Sequence, residues 1–353
     1  MSKPLVSVLI DTYNHERFIE QAIVSVLEQD VPAAEMEVVV VDDGSTDDTP
    51  SIVRQFCPRV RYLRKENGGQ GSAFNAGIPE THGEIVAFLD GDDWWAAGKL
   101  RKVLETFGSD PTVGMVGHGN LRVWPDGRQQ TEVLLEGPRF RADSVEGARL
   151  FRLRKSFLGT RVSIRADLLK QVLPVPEEIR IEADEFIFTM AAISGDVVIL
   201  PEPLLNYRIH GGNFFSISSG YNEKSLRLKQ QCLHYLAQRL SERLRCRGVD
   251  PQVVQILTEV IQVDADQLRL SLDGGYPWET VQAELKVYAT LHSEASKLQR
   301  AFKYFTLLPA LALPPKLYYR LRRRIAQNKL YLRAREKWVP IPTLPHTDNQ
   351  WRR

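Results

Sequence analysis

The stretch EIVAFLDGDDWW, residues 84–95, ends an apolar run with three carboxylates in four residues and follows them with two tryptophans. The apolar run has the length and the β-branched and aromatic content of a buried strand. Asp90, Asp92 and Asp93 repel one another, so a fold without a ligand gains little by gathering them. We therefore expect a bound cation at the end of this strand, although acidic turns without a cation are common in loops.

Predicted strands and helices alternate over the first 110 residues around this stretch. The strands are LVSVLID, MEVVVVDD, VRYLR and EIVAFLD; the helices are RFIEQAIVSVLEQ, a segment capped by Thr49 with Pro50 next, and about residues 98–107. This alternation is typical of a parallel sheet covered on both faces, in which ligands bind beyond the carboxyl ends of strands. Acids at three strand ends should therefore converge on one edge of the sheet. They are Asp11, Asp42, Asp43, Asp90, Asp92 and Asp93.

The pattern changes after residue 110. LRVWPDGRQQTEVLL predicts a hairpin turned at residues 125–127, EADEFIFTMAAISG predicts a helix closed by Gly195, and DVVILPEPLLNYRIH predicts a strand broken by prolines. Helical spacing extends from about residue 221 to 301. We predict an α/β domain over 1–215, with halves at 1–110 and 111–215, then a helical extension over 216–300 and a tail over 301–353.

The formal net charge of +2 hides an acidic body and a basic tail. Residues 296–353 contain 14 Lys and Arg against two acids, whereas the preceding residues contain 32 bases and 42 acids. The near-neutral total argues against a nucleic-acid partner. YFTLLPALALPPKLYYRLRRR, residues 304–324, mixes apolar residues with arginines and is interrupted by prolines. It predicts an interfacial helix on an anionic membrane or a hydrophobic seam packed on the body.

Targeting signals are not evident in the sequence. The N-terminus MSKPLVSVLIDTYN enters a strand pattern directly, and no apolar run reaches the roughly 18 residues that span a bilayer. Three cysteines without metal spacing fit a reducing compartment. We therefore expect a cytoplasmic location, peripheral on the inner face of the membrane if the tail binds lipid.

Two further motifs carry residues suited to ligand binding. VVVVDDGSTDDT, residues 38–49, delivers Asp42 and Asp43 to a strand end, where a carboxylate can accept from a base N–H or ribose hydroxyls. Helix capping is the alternative, and it explains the later acids of this motif better than these two. NGGQGSAFNAGI, residues 67–78, is glycine-rich and opens a helix, so its free backbone N–H groups can face a phosphate or a sugar.

Together these segments resemble the family 2 glycosyltransferases, which have the glycosyltransferase-A fold. The matching segments are VSVLIDTYNHERFIEQAIVSVLEQ, VVVVDDGSTDDT, NGGQGSAFNAGI and EIVAFLDGDDWW, with a weaker match in ADEFIFTMAAISGDVVILPEPLLNYRIHGGN. The resemblance implies a single Rossmann-like α/β domain, and the helical spacing after about residue 221 adds a mostly helical C-terminal extension. It also implies an inverting, metal-dependent transfer of a sugar from a nucleoside diphosphate, with UDP the expected carrier, to an acceptor hydroxyl. The expected setting is polysaccharide or glycolipid assembly, with a sugar or a lipid-linked acceptor.

The resemblance assigns donor-side roles to individual residues. Tyr13 would stack on the base, Asp43 would hydrogen-bond it, and Asp90 would lie near the ribose and the metal. Asp92 would bind Mn²⁺ or Mg²⁺, and His210 would be a further metal ligand or a hydrogen-bonded loop histidine. The other donor-side residues of this prediction are Asp11, Asp42, Asn75 and Arg208.

The helix start ADEFIFTMAA carries the expected general base. Asp184 matches the acid that serves as base in the family, and the helix dipole is expected to keep its carboxylate ionised. Glu182 and Glu185 remain rival bases, because the family motif often reads Glu-Asp whereas this chain reads Ala-Asp-Glu. On the acceptor side, Trp94 and Trp95 would floor a sugar ring, or one or both would pack in the core.

Phe74 departs from the family pattern, because many members have a basic residue before the position of Asn75. The contacts of this loop to the base and diphosphate therefore stay open. Two rival functions also stay open: a sugar-phosphate nucleotidyltransferase and a non-catalytic sugar-binding module on a membrane. The nucleotidyltransferase would be expected to have a basic glycine-rich loop near its N-terminus, and DTYNHERF is not one.

Overall fold

A computed structural model describes residues 4–134, 137–210 and 223–326, with the backbone alone for 323, 324 and 326. Ten strands in this part of the chain form one sheet. They are β1 (Val6–Thr12), β2 (Met36–Asp42), β3 (Arg61–Arg64), β4 (Ile85–Asp90), β5 (Trp94–Trp95), β6 (Val113–Val123), β7 (Gln129–Glu132), β8 (Arg139–Phe140), β9 (Ser163–Arg165) and β10 (Asp196–Arg208). Across the sheet the order is β3-β2-β1-β4-β9-β6-β10-β5, with β7 paired to β6 and β8 to β10.

The first four strands are parallel, as the alternation of strands and helices predicts. Beyond β4 the sheet is mixed, because β9 pairs antiparallel with both β4 and β6. β6 and β10 are parallel to each other. The sequence does not predict β9, since a strand of three residues is too short to show a periodic pattern.

Helices cover both faces of the sheet. They are α1 (Ile19–Leu27), α2 (Thr49–Arg54), α3 (Gln70–Gly77), α4 (Lys99–Ser109), α5 (Val145–Arg154), α6 (Ala166–Val172) and α7 (Ala183–Ser194). Successive residues of β1 point into two different hydrophobic cores, one on each face of the sheet. Leu9 packs in the core that contains Phe74 and Phe186, whereas Ile10 packs in the core that contains Ile23. This layering follows from a sheet that is apolar on both faces.

Most local predictions for the first 210 residues are confirmed. β6 and β7 form the predicted hairpin, α7 ends at Gly195, and Pro203 lies at irregularities in the pairing of β10. One predicted cap is wrong by a residue: α2 begins at Thr49, and Asp48 is its N-cap. The reason is that the Thr49 hydroxyl accepts a hydrogen bond from the backbone N–H of His15.

The C-terminal region is helical. It contains α8 (Glu223–Cys246), α9 (Pro251–Asp273), α10 (Trp278–Leu291), α11 (Lys297–Ala312) and α12 (Pro315–Ala326). α8 and α9 share a hydrophobic core with α7, so they are packed onto the sheet domain. α11 continues through Pro309, where the sequence predicts an interruption, and ends at Ala312. Among the described residues, none of the helices has the length and apolar content needed to cross a membrane. The predicted boundary at residue 215 lies outside the described residues and stays a prediction.

Candidate active site

Three elements bring the predicted acids together at one edge of the sheet. In the parallel ladder, Asp11 of β1 lies opposite Asp90 of β4, and Thr12 lies opposite Asp42 of β2. Asp184, in the first turn of α7, is close enough for its negative charge to raise the pKa of Asp11. The edge expected from the sequence therefore gathers carboxylates from β1, β2, β4 and α7.

Asp90, Asp92 and Asp93 form the acidic cluster expected after β4. One carboxylate oxygen of each lies within 4.8 Å of the others. The Thr160 hydroxyl donates to Asp90 Oδ2 at 2.5 Å, and the backbone N–H of Arg208 donates to Asp93 Oδ1 at 2.8 Å. These two hydrogen bonds fix the orientation of the Asp90 and Asp93 carboxylates.

Burial and mutual repulsion disfavour the charged form of most of these acids. Burial, and then the charge of Asp90, holds the pKa of Asp11 well above its usual range. Burial and the charge of Asp92 raise the pKa of Asp90 to about 7 and hold that of Asp93 well above its usual range. Burial also opposes ionisation of Asp92, but its hydrogen bond with His210 lowers the pKa overall. Asp92 is therefore the acid of this group that ionises most readily.

The cluster fits a hard divalent cation. Carboxylate oxygens are the ligands that Mg²⁺ and Mn²⁺ prefer, and a cation would offset the repulsion among the acids. Asp11 Oδ1 is buried and has no hydrogen-bond partner among the described residues, which is unusual for a buried polar atom. The two predicted ligands also meet: Asp92 Oδ2 and His210 Nε2 are 2.8 Å apart.

Arg208 lies against the cluster on the side of α1. Its guanidinium stacks between the rings of Phe18 and Trp94, at 4.7 and 4.4 Å from their centroids. It also donates to the Asp92 carbonyl at 2.8 Å and to the Gln21 side chain at 2.6 Å. These contacts hold a positive charge beside the acids.

The two tryptophans lie in different environments. Trp95 is 3% exposed and packs in a hydrophobic core, with the Lys99 ammonium 3.5 Å from its ring centroid. Successive residues of β5 point to opposite faces, and Trp95 takes the core position that was the alternative to an acceptor-side role. An acceptor-side role for Trp95 stays a prediction. Trp94 is half-buried, with Arg208 over its ring, and its acceptor-side role stays a prediction.

Tyr13 and Asp43 flank the region where the nucleotide base is expected. Tyr13, just after β1, is 43% exposed, so its ring is accessible for stacking. The buried Asp43 carboxylate accepts from Lys65 Nζ at 2.9 Å and from the backbone N–H groups of Gly68 and Gly69 at 3.0 and 2.6 Å. Asp43 thus holds the glycine-rich loop, and a contact to a base would use its remaining lone pairs.

Asp42 and Asn75 make hydrogen bonds within the chain. The Tyr62 hydroxyl and the Ser45 N–H donate to Asp42 at 2.5 and 2.7 Å. The Asn75 amide exchanges two hydrogen bonds of 2.8 Å with the backbone of Val175. Both side chains therefore organise loops around the site, and their donor-side roles stay predictions.

The three acids at the start of α7 differ in their partners. Glu185 is buried and paired with two cations, Arg152 at 2.5 Å and Lys155 at 3.0 Å. Burial alone would raise the pKa of Glu185, but the two cations lower it to about 2. Glu182 is paired with a lysine of α8 at 2.7 Å. In the part of the chain that the structure describes, no cation pairs with Asp184.

Asp184 has the properties of a carboxyl that can exchange a proton near neutral pH. Burial, followed by the charges of Asp90, Glu182 and Glu185, raises the pKa of Asp184 to about 8. The expectation that the helix dipole keeps this carboxylate ionised is therefore wrong for the free protein, because burial and like charges outweigh the dipole. Gly159 leaves room beside it: a Cβ there would lie 3.2 Å from Asp184 Oδ2.

Several contacts of the site are not evident from the sequence. Thr160 holds Asp90, Lys65 holds Asp43, and two cations hold Glu185. Lys65 had a usable signal, since it stands two residues before the glycine-rich loop. The others are at least 30 residues from the acids that they contact, so no local spacing indicates them.

Sequence comparison identifies the region that carries these acids. The model of the family described as glycosyl transferase family 2 matches residues 7–168. Residues 7–168 are therefore a glycosyl transferase family 2 region. A glycosyltransferase of Nostoc sp. without an assigned function is 36% identical over 216 residues, which are 59% of this chain and 66% of that relative. The chain's match thus spans just under two thirds of the length of this relative.

Solved structures confirm the expected fold. The crystal structure of residues 1–349 of TarS from S. aureus with UDP-GlcNAc is 20% identical, with a TM-score of 0.56, and covers 93% of this chain and 92% of that one. A mannosyltransferase from Pyrobaculum calidifontis, in complex with GDP-Man and Mn²⁺, is 22% identical, with a TM-score of 0.51 and coverage of 96% and 88%. The chain has the Rossmann-like glycosyltransferase-A fold with a mostly helical C-terminal extension.

The family match divides the predicted site residues into two groups. It covers the acids of β1, β2 and β4 but ends at residue 168, before Asp184, Arg208 and His210. Arg208 and His210 are hydrogen-bonded to Asp92 of the matched part, and Asp184 is near enough to Asp90 for the charge of Asp90 to raise its pKa. The roles of these three residues are therefore proposals.

Proposed function

We propose that this protein is an inverting family 2 glycosyltransferase that moves a sugar from a nucleoside-diphosphate sugar to an acceptor hydroxyl. The observation that carries the proposal is that Asp184, with no cation partner among the described residues, shares a sheet edge with the cluster of Asp90, Asp92 and Asp93. A donor bound at the cluster would lie with its anomeric carbon near a carboxyl able to take a proton.

Asp184 is the proposed general base. The acceptor oxygen would bond to the anomeric carbon on the face opposite the diphosphate as the bond to the diphosphate breaks, and Asp184 would take the hydroxyl proton. A pKa near 8 suits a base that works close to neutral pH. Positive charge brought to Asp90 would lower the pKa of Asp184 and favour its base form. Glu182 and Glu185 suit this role less, because cations already hold both of them.

Asp92 and His210 would hold the divalent cation, with Asp90 beside them. When bound, Mn²⁺ or Mg²⁺ supplies charge neutralisation for the diphosphate leaving group. Arg208, fixed next to Asp92, adds positive charge on the same side. The Mn²⁺ in the solved mannosyltransferase of similar fold supports a cation of this kind.

The remaining predicted roles complete the proposal. Tyr13 stacks on the nucleotide base, Asp43 supports the glycine-rich loop and accepts from the base, and Trp94 lies on the acceptor side. UDP is the first carrier to test, given the UDP-GlcNAc complex of the similar TarS structure. The proposed acceptor is a sugar or a lipid-linked sugar in polysaccharide or glycolipid assembly, at the inner face of the membrane.

The experiment is a screen of UDP- and GDP-sugars for release of free nucleoside diphosphate, with and without Mn²⁺. Metal-dependent release that increases with acceptor supports glycosyl transfer, and product of opposite anomeric configuration to the donor supports a single displacement. Binding of a donor without any release would favour the non-catalytic module. Formation of a nucleotide sugar from a sugar phosphate and a nucleoside triphosphate would favour the nucleotidyltransferase.

A further inference from the structure

Exposed apolar side chains are concentrated at the C-terminal end of the described chain. Ten of the fifteen exposed large hydrophobic side chains in the described residues lie between 298 and 325. They include Phe305, which is 70% exposed, Leu298, which is 63% exposed, and Leu308, which is 58% exposed. A concentration of this kind marks an interaction surface rather than the scattered exposure of an ordinary protein surface.

α11 and α12 pack against α9 and α10 through one side of each helix, and this packing leaves the opposite side exposed. Leu307 and Ala310 of α11 and Tyr318 and Tyr319 of α12 pack in a small core with residues of α9 and α10. Because Phe305 and Leu308 follow the helical period away from those buried positions, they project to the opposite side of α11. α11 therefore has large apolar side chains on its exposed side as well as on its packed side.

A buried ion-pair cluster fixes this orientation. Glu284 of α10 is buried and accepts from Lys303 Nζ of α11 at 2.5 Å and from Arg322 of α12 at 2.5 and 2.7 Å. Two basic side chains therefore point inward, while the phenylalanine and leucines of the same helices point outward. This is the reverse of the usual arrangement in a water-soluble helix pair.

The composition of the surface indicates which partner it fits. Residues 296–326 contain eight Lys and Arg and no Asp or Glu. Lys316 and Arg320 are exposed on α12 beside Leu317 and Leu321. Two copies meeting through this face would bring like charges together, whereas an anionic lipid surface complements both the charge and the apolar side chains.

Two exposed aromatic residues lie at the start of α10. Tyr276 is 79% exposed in the loop that leads into α10, and Trp278, the first residue of α10, is 43% exposed. This loop lies against α12, because a Cβ on Gly274 would be 3.4 Å from the Lys316 side chain. Tyrosine and tryptophan are enriched at the level of lipid headgroups, where their rings are apolar at one end and polar at the other.

We propose that the outward face of α11 and α12, with Tyr276 and Trp278, binds an anionic lipid bilayer in the plane of its interface. Phe305, Leu308 and Leu298 enter the boundary between headgroups and acyl chains, and Lys316 and Arg320 contact the headgroup phosphates. The binding is peripheral, and it is independent of whether the site transfers sugar.

The test uses the full chain in a vesicle sedimentation assay without nucleotide sugar. Wild-type protein should sediment with vesicles of phosphatidylcholine and phosphatidylglycerol and only weakly with phosphatidylcholine alone. A double variant, Phe305→Glu with Leu308→Glu, should lose binding at least about tenfold, since it places two acids where lipid is contacted. A second double variant, Lys316→Gln with Arg320→Gln, should lose binding to the anionic vesicles selectively.

The matched control makes the same apolar-to-acid change elsewhere: Val145→Glu with Tyr235→Glu, at exposed positions outside the face. It should sediment as wild type does, and unchanged thermal melting of all variants shows that they fold. Equal sedimentation of the Phe305→Glu, Leu308→Glu variant and wild type would overturn the proposal. The absence of wild-type binding to anionic vesicles would also overturn it. If the wild type then forms dimers and the Phe305→Glu, Leu308→Glu variant is a monomer, the face binds a second copy of the chain.

Discussion

The guanidinium of Arg152 and the carboxylate of Glu185 form a buried ion pair, with Nη1 and Oε1 2.5 Å apart. This pair leaves Asp184, one residue earlier, as the acid of α7 that faces the acidic cluster without a cation partner among the described residues. The distinction between these neighbouring acids leads to the first prediction.

Asp184→Asn should abolish sugar transfer and leave donor binding nearly unchanged, because asparagine keeps the shape of the side chain but cannot take a proton. Glu185→Gln should keep measurable turnover at low temperature and lose about 3 kcal/mol of stability, because it leaves the buried guanidinium of Arg152 without its charged partner. Turnover and chemical denaturation of both variants check this. A dead Glu185→Gln enzyme with intact fold, beside an active Asp184→Asn enzyme, would assign the base to Glu185.

The pH dependence of stability should report Asp184 in the metal-free protein. Its pKa is raised from the ordinary 3.8 to about 8, so the folded state keeps a proton that the unfolded state releases. The contribution of Asp184 to the free energy of unfolding is complete below about pH 4. It is lost as the pH rises towards 8, at no more than about 1.4 kcal/mol per pH unit. Asp184→Asn should flatten this decline, as measured by urea denaturation in EDTA between pH 5 and 8. Parallel wild-type and variant curves would contradict it.

Asp92→Asn should remove metal-dependent transfer and leave the fold intact, because it deletes one proposed ligand and relieves like-charge repulsion. Calorimetric titration with Mn²⁺ in the presence of nucleoside diphosphate measures the loss directly. Asp48→Asn, an acid-to-amide change outside the cluster, is the matched control. Normal Mn²⁺ affinity in Asp92→Asn would exclude Asp92 as a ligand.

Trp94→Ala and Trp95→Ala should have different effects. Trp95 lies in the core, so its truncation should cost about 3–5 kcal/mol of stability. Trp94→Ala should cost less stability and raise the KM for the acceptor more than the KM for the donor. Denaturation curves and two-substrate kinetics separate the two effects. Equal destabilisation by both variants, with an unchanged acceptor KM, would place Trp94 in a purely structural role.

Tyr13→Ala should weaken nucleoside diphosphate binding by roughly 1–3 kcal/mol, because it removes a stacking surface for the base. Tyr13→Phe keeps that surface and should bind as wild type does. Isothermal titration with UDP and GDP measures both variants. Unchanged affinity of Tyr13→Ala for each nucleotide would place the base elsewhere.

The local pattern of the sequence determined the parallel half of the sheet. Strands ending in Asp11, Asp42 and Asp90 alternate with amphipathic helices, and such a pattern has few ways to bury its apolar faces. Because parallel strands align their carboxyl ends, the convergence of these acids on one edge followed from the sequence as well. The family resemblance added the prediction of the glycosyltransferase-A fold, which the solved structures confirm.

Only the tertiary structure decided which acids are held by partners within the protein. Glu185 is held by a cation 33 residues away in sequence, and Asp90 is held by a hydroxyl 70 residues away. The tertiary structure also places Trp95 in the core, and the ion pair of Glu284 with Lys303 orients α11 so that its apolar side faces outward. The pKa of a carboxyl depends on its burial and on charges brought near by distant segments, and a sequence contains neither until the chain is folded.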